Sequence, residues 1–220
     1  MEAYVINLKS SNDRWIAIQK SFEGTDIQLH RMEPVKATRA TKKLRKYNVR
    51  SQSNFLSFLN IIKMAKKKDL PNILILEDDC MPVPNFTEKW RKVKTWLDAN
   101  PDKWDIYSGG SSMIKNPTPI AESKDTIFYR PKETYGAFFI YIHKDAYDTV
   151  IQQYTKDITR SPIVASNVTN YRLKLVISHP FVAYHRDGKS TLSDLYLKLG
   201  PKLKRLEREL GKTRKIRRKR

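Results

Sequence analysis

Glu77, Asp78 and Asp79 stand side by side at the end of an apolar run, ILILEDDC at residues 73–80. Three adjacent carboxylates repel one another and resist burial. A divalent cation removes that conflict. Mg²⁺ or Mn²⁺ prefers oxygen ligands, commonly one or two carboxylates with the phosphates of a substrate. In an open parallel sheet, ligands bind beyond the carboxyl ends of the strands, which is where these acids fall. The competing reading is a solvated turn in which Asp78 or Asp79 caps the next helix. Pro82 and Pro84 push that helix too far along the chain for such a cap.

Other residues invite a chemical reading and a plainer one. Tyr107 and Gly109-Gly110 follow a second strand end in KWDIYSGG and are candidates to line a ligand pocket; the rival is an ordinary turn. Tyr135-Gly136 precedes the run AFFIYI and either approaches a ligand or packs. Cys80 reads as a small buried residue, and Trp90 and Trp104 as core.

The elements that must position these residues show in the hydrophobic periodicity. Ala3–Leu8 reads as a buried strand. A helix capped by Ser10 or Ser11 runs to Phe22, with Trp15, Ile18 and Phe22 on one face. Ile27–Val35 is a strand, and Lys36–Arg50 a loop without apolar period. Ser51–Lys68 is helical, with Phe55, Phe58, Leu59 and Ile62 in register. Asn72–Leu76 is the central strand. Asn85–Asn100 is the clearest helix, striped by Phe86, Trp90, Val93 and Leu97, and Trp104–Ser108 is a strand. This alternation predicts an α/β fold with a mainly parallel, twisted sheet flanked by helices. The second half reads as strands at Ile127–Arg130, Ala137–Ile142, Leu173–Ile177 and Phe181–His185, with a helix over Lys144–Tyr154. From Thr191 the chain is predicted helical and increasingly basic. No repeat or linker divides it, so residues 1–197 form one predicted domain and 198–220 a basic helical or partly disordered tail.

Composition sets limits. The chain has 220 residues, 40% of them hydrophobic and 30% charged, which is globular rather than disordered. The six-residue run AFFIYI is far too short to span a bilayer. One cysteine excludes an internal disulfide, and MEAYVINL lacks the pattern of a signal peptide, so a cytoplasmic location is expected. Asn85-Phe-Thr and Asn167-Val-Thr then match the glycosylation sequon by chance. The net charge is +20, and from Lys198 to Arg220 twelve Lys/Arg face two Asp/Glu, a local excess of +10. A second basic cluster spans Lys36 to Arg50. Such blocks suit polyanions, membranes or diphosphate ligands, or simply a solvated tail. Leu199, Leu203, Leu206 and Leu210 form a stripe predicted to pack on the domain, its basic face outward. The last eight residues are expected to be disordered.

YVINLKSSNDRW, FLSFLNIIKMA, ILILEDDC, KWDIYSGG, YGAFFIYIHKDAY and HPFVAYHRDGKSTLSD occur in that order over residues 3–195. Together they resemble glycosyltransferase family 25, which includes lipooligosaccharide sugar transferases and collagen galactosyltransferases. The resemblance implies a GT-A fold with a Rossmann-like sheet, a nucleotide-sugar donor, usually a UDP-sugar, and usually Mn²⁺ (or Mg²⁺). By it, Glu77-Asp78-Asp79 takes the place of the DxD-like motif. Asp79 holds the metal, and Asp78 contacts the donor ribose or the metal. Asn7 and Arg14 lie at the nucleotide end, with Glu77 of the motif also toward the donor; Tyr107 and Gly109, by their place after a strand end rather than by the resemblance, are candidates for the same donor pocket. GT-A enzymes often return a C-terminal histidine to the metal. His185, after the strand FVAY, is the candidate, and His179 the competitor. Asp187 is the candidate base, against a plain turn residue before Gly188. The resemblance further implies a hydroxyl of a glycan, a lipid-linked glycan or a protein as acceptor, and inverting transfer.

The sequence departs from that family at two places. Leu56-Ser57-Phe58 lacks the histidine common in a Leu-Ser-His there, and SPIVASNVTN, residues 161–170, has no carboxylate. Both gaps bear on the acceptor side and the base. Two other readings compete: a non-catalytic binding or scaffold protein of the same fold, and a nucleic-acid binder. The second lacks another acidic cluster to complete a two-metal site, so no specific nucleic acid is expected. The tail invites contact with an anionic membrane.

Overall fold

The computed structural model describes residues 1–36, 49–157, 173–189 and 196–217. The first half runs β1 (Glu2–Ile6), α1 (Asn12–Phe22), β2 (Gln28–Met32), α2 (Val49–Lys67), β3 (Asn72–Glu77), β4 (Cys80–Pro82), α3 (Phe86–Ala99) and β5 (Ile106–Ser108). The second continues through β6 (Met113–Lys115), β7 (Thr118–Ser123), β8 (Thr126–Arg130), β9 (Glu133–Tyr135), β10 (Phe139–His143) and α4 (Tyr147–Asp157). It ends with β11 (Leu175–His179), β12 (Ala183–His185), β13 (Gly188–Lys189), β14 (Tyr196–Leu197) and α5 (Gly200–Arg217).

Eight strands form one sheet in the order β2-β1-β3-β10-β5-β11-β8-β7. β1 pairs in parallel with β2 and β3, and β5 with β11, while β10 and β8 run against their neighbours. Six of the eight strands therefore share one direction. The α/β class and the mainly parallel sheet agree with the sequence. The strand read at Ala137–Ile142 inserts antiparallel between β3 and β5.

Side chains alternate across a strand, and the core splits accordingly. Leu74 and Leu76 of β3 pack with Ile18 and Phe22 of α1, Trp90 and Val93 of α3, and Leu203 and Leu210 of α5. Ile73 and Ile75 pack on the other face with Phe58 and Ile62 of α2 and Val150 of α4. The apolar stripes read for α1, α2 and α3 are thus the faces that cover the sheet. No described helix is long and apolar enough to cross a membrane.

Some boundaries move. Of the helix predicted from Thr191, residues 191–195 lie outside the described residues, Tyr196–Leu197 form strand β14 paired with β13, and α5 begins only at Gly200. Gly200 and Pro201 suit a helix start, where Pro lacks only an N–H that would have no intrahelical partner. α5 continues to Arg217, into the stretch expected to be disordered. Ser11 takes the N-cap position of α1 without a side-chain capping bond; its carbonyl accepts from the Trp15 N–H instead. The loop read over Lys36–Arg50 lies mostly outside the described residues, as does the stretch 161–170. α2 already begins at Val49.

Candidate active site

The three acids sit at the carboxyl end of β3 and the turn that follows, where the sheet topology puts a ligand. The chain does not pass directly into a helix there. Strand β4 intervenes and α3 starts at Phe86, so neither Asp78 nor Asp79 is a helix cap. Each acid has a different environment.

Asp78 is held from both sides. Asn7, one residue past β1, donates from Nδ2 to Asp78 Oδ2 at 2.7 Å, and Arg14 of α1 donates to Asp78 Oδ1. Asn7 also donates to the Ser11 carbonyl at 3.1 Å, which ties the β1–α1 turn to the same point. Burial raises the Asp78 pKa, and Arg14 and Asn7 offset that only in part. Both Asp78 oxygens are therefore engaged by this chain.

Asp79 is held differently. His185 Nε2 lies 3.1 Å from Asp79 Oδ2, and Arg14 reaches the same oxygen at 3.3 Å. Burial works against the Asp79 charge, yet the His185 hydrogen bond and the nearby positive charges outweigh it and hold the carboxyl below its ordinary range. The reciprocal holds for His185. Burial lowers its pKa, and the bond and charge of Asp79 raise it by more. Asp79 Oδ1, Asn7 Oδ1 and His185 Nδ1 are buried without a hydrogen-bond partner. Unpaired buried polar atoms are costly and uncommon, and they call for an explanation such as an ion or ligand.

Glu77 turns to the other side of β3. Its Oε1 accepts from Asn54 Nδ2 of α2 at 2.8 Å. Burial and the neighbouring Asp79 charge push its pKa up to about 7.

His185 reaches this cluster because β12 pairs antiparallel with β4, which sets His185 opposite Cys80. The Arg186 N–H donates to the Asp79 carbonyl at 2.7 Å, and the Arg186 guanidinium donates to Ser21 Oγ of α1 at 2.9 Å. The Phe138 and His185 rings lie nearly perpendicular, centroids 6.0 Å apart. The competing His179 ends β11 and lies beside Gly211 of α5.

Asn7, Arg14, Asp78, Asp79 and His185 thus converge, although 178 positions separate the first from the last. Three other candidates lie differently. Tyr107 is wholly enclosed in the core, with Trp90 5.8 Å from its ring and its hydroxyl 2.7 Å from Ser178 Oγ; it offers no surface to a ligand. Gly109 is a packing position, where a β-carbon would strike the Phe139 ring and Val182. Asp187 is exposed, and its Oδ1 accepts from the Gly200 N–H at 2.8 Å, at the first turn of α5.

Asn54, Phe138 and Arg186 were not among the sequence candidates. Arg186 lies inside HRDG beside two residues that were. Asn54 is a polar position between apolar ones on α2, and no local signal links it to Glu77.

Among the described residues, no group of three or more His, Cys, Asp or Glu could hold a metal unaided. Asp79 and His185 alone form a two-ligand set of carboxylate oxygen and imidazole nitrogen. The carboxylate suits Mn²⁺ or Mg²⁺, which take further ligands from substrate phosphates and water, and the imidazole can join it only once His185 gives up its proton. The unpartnered Asp79 Oδ1 is the observation in favour.

No protein-family model matches the chain, and no curated protein does. Among solved structures it is similar to A197 from STIV, at 11% identity and a TM-score of 0.47, with 84% of each chain covered. It is also similar to a glycosyltransferase involved in the glycosylation of the major capsid of PBCV-1, at 12% identity and a TM-score of 0.44, over 80% of this chain and 79% of that one. A third is a Drosophila β1,4-galactosyltransferase 7 mutant in complex with manganese, UDP-Gal and xylobiose, at 8% identity and a TM-score of 0.43, over 94% and 79%. No residue here takes a role from these likenesses.

Proposed function

We propose that this chain is a metal-dependent glycosyltransferase of GT-A type. It moves a sugar from a nucleotide-sugar donor, a UDP-sugar by the sequence resemblance, to a hydroxyl of a glycan, lipid-linked glycan or protein acceptor. The observation that carries the reading is the Asp79–His185 pair at the end of β3, with Asp79 Oδ1 buried and unpartnered beside an Asp78 already saturated by Asn7 and Arg14.

In this reading Asp79 and His185 hold Mn²⁺ or Mg²⁺, which when bound stabilises charge on the departing diphosphate. Arg14 balances the acids and adds a positive charge at the nucleotide end. Asn7 and Arg14 hold Asp78 in place before the donor arrives. The acceptor oxygen bonds to the anomeric carbon, the anomeric C–O bond to phosphate breaks, and the nucleotide diphosphate leaves with the electron pair. The hydroxyl proton goes to a base, for which Asp187 is the candidate, and the anomeric centre inverts.

One observation favours a second reading, a donor-binding protein without transfer activity. Asp187 faces solvent and serves the start of α5, and the two departures noted in the sequence fall on the acceptor side. Asp187→Asn keeps an acceptor oxygen for Gly200 and separates the readings. It should keep donor binding and lose transfer if Asp187 is the base. No transfer by wild type to any acceptor class, with donor binding intact, favours the second reading.

The primary test is calorimetric titration of UDP and a panel of UDP-sugars, with and without Mn²⁺, on wild type and Asp79→Ala. Metal-dependent binding by wild type, reduced on the order of 100-fold or more in the variant, is expected from loss of a carboxylate ligand. A folded wild type that binds no nucleotide in either condition removes the donor-site reading.

A further inference from the structure

α5 has two faces with different tasks. The inner face belongs to the domain. Leu203 and Leu210 are buried in the core, the Leu210 carbonyl accepts from the Tyr129 hydroxyl at 3.0 Å, and Glu207 accepts from the Phe181 N–H at 2.8 Å and from the Tyr184 hydroxyl. The outer face carries Lys202, Lys204, Arg205, Arg208 and Lys212, all exposed, against one exposed acid, Glu209. Arg205 pairs with Glu209 at 2.9 Å. Lys202, Lys204, Arg208 and Lys212 have no ion-pair partner among the described residues.

Positions 202, 205, 209 and 212 fall in one stripe of the helix, and 204 and 208 in the next. From 202 to 212 the stripe covers about 15 Å. Like charges held this close repel one another, and among the described residues only Glu209, paired with Arg205, offsets them on this face. We propose that the outer face of α5 docks the protein on an anionic lipid surface.

Three features favour a bilayer. Leu203 and Leu210 are buried in the core and Leu206 is half-buried, so from 202 to 212 the exposed side chains of α5 are all charged, and its attraction is that of a row of cations for a plane of negative headgroups. The outer face has no aromatic side chain for stacking single-stranded bases. Nor does it present Asn, Gln, Ser or Thr between 202 and 212 to read base edges. The sequence past Lys212 adds Arg214, Lys215, Arg217, Arg218, Lys219 and Arg220 and no acid.

Deleting α5 is the wrong test, because it also removes Glu207 from the segment that carries His185. The test keeps the full chain and replaces Lys202, Lys204, Arg208 and Lys212 with Gln. Co-sedimentation is measured with phosphatidylcholine vesicles with and without phosphatidylserine, and binding to a random-sequence DNA duplex at the same salt. Wild type should sediment with the phosphatidylserine vesicles, stay free of the neutral ones, and be released by salt. Each basic residue near an anionic bilayer is worth roughly fivefold, so the variant should bind on the order of 100-fold or more weakly. A charge-reversed pair, Lys204→Glu with Arg208→Glu, gives the same loss from two positions should the fourfold variant melt early. Equal binding to neutral vesicles, no binding by wild type, or undiminished binding by the variants overturns the proposal. Tighter binding to the duplex than to vesicles, lost in the same variants, reassigns the face to nucleic acid and also overturns it. No readout here involves a sugar donor, so this proposal and the glycosyltransferase reading fail separately.

Discussion

Asp79 and His185 stabilise the fold in a pH window that their shifts define. His185 has a raised pKa in the folded protein, so its contribution is complete below the ordinary imidazole value of 6.5 and fades as pH climbs through the folded value. Asp79 has a lowered pKa, so its contribution is complete above the ordinary 3.8 and fades as pH falls through the folded value. Both are present between those ordinary values. His185→Gln should therefore lower the Tm of metal-free protein most between the ordinary values of 3.8 and 6.5, and progressively less as pH climbs through the raised His185 value. Glu77, whose pKa is pushed up to about 7 by burial and held down in part by the His185 charge, also titrates in this range, so the same melts on Glu77→Gln with and without His185→Gln isolate the His185 contribution. Thermal melts across this range decide the matter; a gap that stays constant means the pair contributes by packing rather than by charge. The acids themselves were legible in the sequence, because three carboxylates behind an apolar run are conspicuous. Their division of labour was not, because it depends on partners 64 and 71 positions away.

The short strand β12 is the element on which His185 depends, and three devices hold it. It pairs with β4, its approach is crossed by Gly109 and Gly110, and α5 grips it through Glu207. A β-carbon at Gly110 would overlap the Ala183 carbonyl oxygen. That contact is with backbone, so the only relief is a shift of the segment that leads to His185. Gly110→Ala should cost ~1–3 kcal/mol, as overpacking does, and weaken Mn²⁺-dependent nucleotide binding as well. Glu207→Ala leaves the buried Phe181 N–H without its acceptor, which costs ~1–3 kcal/mol. Glu207→Gln retains an acceptor oxygen and should recover most of that loss. Urea denaturation beside nucleotide titration separates the two effects, and unchanged binding in Gly110→Ala would detach this segment from the site. The α5 leucine stripe was readable, since spacings of four, three and four mark one helix face. β4 and β12 were harder: strands of three residues show too little alternation to reveal a partner about a hundred positions away.

At the scale of the molecule, the strand–helix alternation of the first half was readable because each element there carries its own period, and the sheet needs only that pattern to become mainly parallel. The insertion of β10 between β3 and β5 was not, because local periodicity says nothing of which strands pair. Charge is the whole-molecule property that the sequence gives outright, and it has a thermodynamic consequence. A net +20 on a 220-residue chain opposes its own compaction. Against this stand exposed pairs such as Lys66–Asp148, Lys92–Asp125 and Lys115–Glu133, each worth little at a solvated surface. Raising sodium chloride from about 0.01 M to about 0.15 M shortens the screening length from roughly 30 Å to roughly 8 Å. Long-range repulsion is then suppressed, while the buried Asp79–His185 contact is little affected. The Tm should therefore rise over that range, by roughly 2–4 °C for each kcal/mol of repulsion relieved in a chain of this size. The gain should shrink when Lys202, Lys204, Arg208 and Lys212 are replaced by Gln, because four of the unpaired charges are gone. A Tm that falls with salt in wild type would mean that the surface pairs outweigh the net charge, and that the basic face of α5 is not under repulsion in the free protein.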